Sequence, residues 1–155
     1  MESYVINWKC ILNKDDGKRG GNKLRTYRLF KNDFYPEPYV ISDMPRCYRS
    51  AMAKFRCGVA PIRVETGRYE NIPLNERTCF NCNHNVEDEF HVLFHCDIYN
   101  DIRENLFNYC QLSVPNFYGF TSSEKMLLFQ GANMFYYFAK TCFLMLRRRK
   151  CILYS

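Results

Sequence analysis

Residues 79–96 read CFNCNHNVEDEFHVLFHC, and the rest of the chain is best read outward from this run. Cys79 and Cys82 form a Cys-x2-Cys pair, His91 follows after eight residues, and Cys96 after four more. Such a pair makes a tight turn that aims two thiolates at one cation, and a histidine with a third cysteine completes a tetrahedron. The spacing predicts one structural Zn2+ on Cys79, Cys82, His91 and Cys96, with four protein ligands and no open position for hydrolysis. All four fall within 18 residues, so closing the loop costs little chain entropy. His91 and His95 are four apart on one helical face, which leaves Cys79, Cys82, His91 and His95 as an alternative set. His84 reads as a loop residue. Core cysteines and surface histidines without a metal are the plain alternative, and so compact a grouping argues against it.

Around this knuckle the pattern is helical. Asn85 with Asp88 resembles a capping pair, and Val86, Phe90, Leu93 and Phe94 mark one apolar stripe behind it. Downstream, a helix is expected over about Ile98–Cys110, a short one from Ser122 or Ser123 to Gln130, and an aromatic one over Met134–Lys150. Upstream, residues 1–21 hold a short apolar segment with Trp8 and a charged, Gly-rich loop. Asn22 is placed as the cap of a helix running to Phe34, ended by Pro36 and Pro38. A second helix is expected between Pro45 and Gly58, since proline suits the first turn and glycine the position past the end. On it Met52 and Phe55 would face inward, and Arg46, Arg49, Lys54 and Arg56 mostly outward. Residues 59–78 read as extended or looped. The fold class expected is mainly α: a single helical module over residues 22–150 with a zinc knuckle at 79–96, and a tail at 151–155.

The chain has 155 residues, about one domain, and its 13 Phe and 12 Tyr should supply much of the buried area. Nine cysteines, an odd number mostly scattered singly, and no secretory signal at Met1-Glu2-Ser3 point to free thiols inside a cell, nuclear or cytoplasmic. Met126–Leu146 imitates a membrane span, but Lys140 interrupts it, and the uncharged run Met126–Ala139 falls short of the roughly 20 residues a bilayer needs. No membrane partner is expected.

Charge is unevenly distributed. Residues 1–78 hold 15 Lys/Arg against 9 Asp/Glu, residues 79–146 hold 3 against 7, and Arg147–Lys150 are all basic. A polyanion, RNA or DNA, is the partner such a pattern suits. Lys18, Arg19, Lys23, Arg25, Arg28 and Lys31, interleaved with Tyr27 and Phe30, are the candidate phosphate-binding face. Arg147, Arg148 and Arg149 are a second candidate. An ordinary solvated helix face and a charge-complemented helix end account for the same residues equally well.

Several runs carry a resemblance. Gly20–Lys31, Glu37-Pro38-Tyr39-Val40, Lys54-Phe55-Arg56-Cys57, Glu65–Tyr69, Ile72–Cys79, Val86–His91 continuing to Cys96, and the aromatic helix ending in Arg147–Arg149 are similar to the region downstream of the polymerase domain in reverse transcriptases of non-LTR retrotransposons. The similarity spans about residues 7–150. It implies that Cys79, Cys82, His91 and Cys96 are the ligands and that the chain matches the tail of a larger RNA-directed DNA polymerase. The paired-aspartate motif that holds catalytic magnesium in such polymerases has no counterpart, since Asp15-Asp16 lies in the Gly-rich loop, and no endonuclease segment is visible. No catalytic residue is expected. A cysteine enzyme built on Cys57 would have to borrow a histidine from the knuckle. The expected function is a zinc-stabilised nucleic-acid-binding module. The alternatives are a zinc-dependent protein–protein interaction module and a retroelement remnant without a selected task.

Overall fold

A computed structural model describes residues 2–13, 24–31, 34–83, 85–129, 131 and 133–153. The expected Gly-rich loop, the Asn22 cap and the candidate cations Lys18, Arg19 and Lys23 lie outside them, as does His84. The architecture is mainly helical, as its pattern predicts, and among the described residues the only β pairing is an isolated antiparallel bridge between Thr78 and Val86. The helices are α1 (Glu2–Asn13), α2 (Tyr27–Phe30), α3 (Pro38–Ile41), α4 (Arg46–Arg56), α5 (Arg63–Tyr69), α6 (Asn100–Ser113), α7 (Ser122–Leu128) and α8 (Phe135–Leu153). Among the described residues no helix is long and apolar enough to cross a membrane.

Helices α4 and α8 pack against each other most extensively, and α6 adds to α8. On α8 the buried set Phe135, Phe138, Cys142, Met145 and Arg149 advances by three and four residues in turn, which draws one stripe along the helix. Facing it are Ala51, Met52 and Phe55 of α4 and Ile102, Leu106 and Cys110 of α6. Phe138 also stacks on Phe129, with ring centroids 4.8 Å apart. Each fully buried Phe or Met of this layer stabilises the fold by about 1.5–3 kcal/mol. Helix α4 ends as its sequence predicts: Gly58 has φ 64°, Val59 N–H donates to Lys54 O at 2.9 Å and Gly58 N–H to Phe55 O at 3.3 Å. This is a Schellman closure, and its left-handed position favours glycine. Helix α7 carries a full capping box between Thr121 and Glu124.

Three expectations need correction. The helix placed over 22–34 is a single turn, α2, and Pro38 starts α3 instead of ending anything, because proline at a first helical position loses no hydrogen bond. Residues 59–78 contain α5 and a 3-10 turn at Leu74–Glu76 where loop was expected. Gly67 disguised that helix, and it has a packing role. A Cβ there would come within 2.7 Å of Arg77 Cγ, so the glycine makes room for the Arg77 stem. Finally, Arg56 faces inward. It is 1% exposed, pairs with Glu37 at 2.6 Å, and lays its guanidinium over the rings of Phe30 and Tyr39.

Candidate metal centre

The Thr78–Val86 bridge pinches the chain into a loop that brings Cys79 and Cys82 to one side. Cys79 N–H donates to Asn85 O at 2.9 Å, and Asn83 N–H donates back to Cys79 O at 2.8 Å. Asn83 sits at φ 56°, a left-handed position that asparagine tolerates better than most residues. Beyond the bridge, Asp88 caps the next turn: its carboxylate accepts from His91 N–H at 2.7 Å. The stretch His91–His95 is then a π-helical turn, closed by Cys96 N–H donating to His91 O at 2.8 Å. Regular α-helix geometry would set residues five apart about 140° apart around the axis. The wider turn, and the extended backbone at Cys96, bring His91 and Cys96 toward a common point.

They converge with the loop cysteines. One donor atom from each of Cys79, Cys82, His91 and Cys96 can be chosen so that all lie within 4.8 Å of one another, a cluster able to hold a metal ion. The sulfurs of Cys79 and Cys96 are 3.7 Å apart, and those of Cys82 and Cys96 are 3.8 Å apart. Three of the four residues are buried and Cys82 is half-buried. His91 Nε2 is buried and meets no hydrogen-bond partner among the described residues. His95 is exposed and outside the cluster, so the group able to hold a metal ion contains Cys96 and not His95.

The electrostatics fit a cation. Burial is the main force lowering the His91 pKa, with the Asp88 carboxylate opposing, so its imidazole favours the neutral, lone-pair-bearing form. Burial pushes the Cys96 thiol up to about 12, the Ile98 backbone N–H opposes this, and the neighbouring Cys79 adds to it. Such a thiol stays protonated at neutral pH unless a metal replaces the proton.

Three buried groups brace the loop, none of them predicted. Arg103 of α6, 7% exposed, donates to the carbonyls of Leu93 at 2.9 Å and Cys96 at 2.7 Å, and to Asn100 Oδ1 at 2.6 Å. It thereby satisfies carbonyls at the end of the π turn and sets a positive charge beside a thiol ligand. Arg77 donates to Ile72 O and Val64 O, both at 2.8 Å. Glu87, wholly buried, accepts from Arg63 N–H at 2.7 Å and from Arg149. Burial raises its pKa, and the Arg149 guanidinium opposes this.

Most of the described basic candidates are tied to carboxylates of the protein itself. Arg25 is bound to Glu89 at 2.6 and 2.8 Å, and Lys31 pairs with Glu37 at 3.3 Å and donates to Tyr35 O. Arg28 is half-buried beside them. At the end of α8, Arg147 is exposed, Arg148 is paired with Asp101, and Arg149 is buried against Glu87 while donating to Pro61 O at 2.7 Å. Arg149 is therefore an internal ion-pair partner and not a surface contact for phosphate. It falls on the three-four stripe of α8, and that periodicity was the available signal of its burial. No family profile, curated protein or solved structure matches the chain.

Proposed function

We propose that the protein is a zinc-stabilised nucleic-acid-binding module without a catalytic centre of its own, related to the C-terminal region of non-LTR retrotransposon reverse transcriptases. The observation that carries the zinc reading is the sulfur spacing. Tetrahedral coordination with Zn–S bonds of about 2.3 Å requires a sulfur–sulfur edge of about 3.8 Å. The two edges at Cys96 are 3.7 and 3.8 Å. Three thiolates and an imidazole suit zinc among the divalent ions, and four protein ligands make its role structural. Zinc with three thiolates carries a net charge of −1, which the adjacent Arg103 guanidinium balances.

The formal net charge of +6 supports a nucleic-acid partner. The carboxylate partners of Arg25, Lys31, Arg148 and Arg149 support a second reading, in which the partner is a protein. One experiment decides. Elemental analysis of the purified protein should return one zinc per chain, and affinity for RNA or DNA should then fall steeply as salt rises. Absence of stoichiometric zinc removes the metal reading. No binding at low salt, or a flat salt response, favours the protein partner.

A further inference from the structure

Outside the metal centre lies an open groove of about 740 Å³, floored by α4 and walled by α5, Phe80 of the knuckle and the end of α8. This lies within the range of roughly 300–1,000 Å³ typical of built ligand sites. Besides the buried Arg149, its cations come from three separate elements: Lys54 on α4, Arg63 at the start of α5, and Arg147 and Lys150 on α8. Lys54, Arg147 and Lys150 are exposed and have no carboxylate partner among the described residues. The one acid of the lining, Glu70, is half exposed and paired with Arg63 at 2.8 Å, an exposed pair that a phosphate can displace. Phe80 stands at the groove edge with 53% of its surface exposed. Arg63 and Arg149 lie over its ring at 5.1 and 5.6 Å, which fixes a large apolar side chain in the open.

Phe80 is also the residue after the first metal ligand, so the metal sets the position of this ring. An exposed ring beside unpaired cations from two elements is a combination that holds a polynucleotide strand: phosphates on the cations and an unpaired base on the ring. A duplex has no free base face to offer, and an acidic protein segment would not use the ring in this way. We infer that this groove is the binding site for a single strand of nucleic acid, with a base stacked on Phe80. This inference rests on the nucleic-acid reading above and moves the contact from the 18–31 segment to the C-terminal halves of α4 and α8.

The test is fluorescence anisotropy of the zinc-loaded full chain with labelled oligouridylate, oligothymidylate and a duplex of equal length. Lys54→Gln/Arg147→Gln/Lys150→Gln should lower the slope of log affinity against log salt by about 2, given roughly 0.7 per single-strand phosphate contact. Lys18→Gln/Arg19→Gln/Lys23→Gln removes the same charge elsewhere and should change the slope less. Phe80→Ala should weaken single-strand binding about tenfold, and Phe80→Trp should restore it, with zinc content and circular dichroism unchanged in every variant. Preference for either oligonucleotide over the duplex supports the site. Equal effects of the two triple variants, or tighter duplex binding, overturn the groove while leaving the nucleic-acid reading intact. A wild-type chain that binds none of the three probes at low salt overturns that reading itself.

Discussion

The α4–α8 layer and the 77–103 segment are held together by different chemistry. The first buries Met52, Phe55, Phe138, Cys142 and Met145 and needs few polar bonds. Before α6 begins, the second has little regular structure: one bridge, one π turn and a 3-10 turn at Asp97–Tyr99. Its bracing comes from Arg77, Arg103 and the Glu87–Arg149 pair. A hydrocarbon layer loses a contact without stranding a charge, because its contacts are many and individually weak. A loop held by buried charge does not, because each missing partner strands another charge. The two regions should therefore fail separately.

The largest effect is expected at the metal. Cys82→Ser, or chelation of the wild type, should release the ion and unfold residues 78–99, because metal binding in such segments is itself folding free energy, about 10–16 kcal/mol in isolated zinc-finger peptides. Hydrogen exchange should accelerate there while the amides of α4 and α8 stay protected. Exchange that rises equally in both regions would show that they form one cooperative unit. Next in size, Phe138→Ala should cost about 3–5 kcal/mol in a denaturant titration with the zinc content unchanged. Loss of metal in that variant would break the separation from the other side. Smallest, Arg103→Met should cost about 1–3 kcal/mol through the carbonyls it leaves unsatisfied. Its sharper reading is metal affinity, which should fall in a competition titration with a chromogenic chelator. Unchanged affinity would make Arg103 a packing residue only.

What could be read in advance follows the same division. The helices of the apolar layer announce themselves through spacing and caps, as Pro45 and Gly58 do around α4. The four cysteine and histidine donors were legible because ligand spacing is a local property. The bracing arginines were not. Arg77 and Arg103 bond to carbonyls, which every residue has, so no pattern of residue types marks them. Arg56 and Arg149 read as surface charges, although both lie on buried faces and meet glutamates 19 and 62 residues away. Helix α5 was hidden for a related reason: Gly67, a breaker in isolation, is there to admit a distant side chain.

The Glu87–Arg149 contact makes the last turns of α8 a bolt through the molecule. One end of that helix lies in the aromatic layer, and the other closes over the carboxylate two residues before the Glu89 partner of Arg25. Peeling the end of α8 away would leave a carboxylate in a dry site, and the loop carrying it would have to open to let water in. A pull on the distal helix is thus transmitted to the thiols without displacing any donor directly.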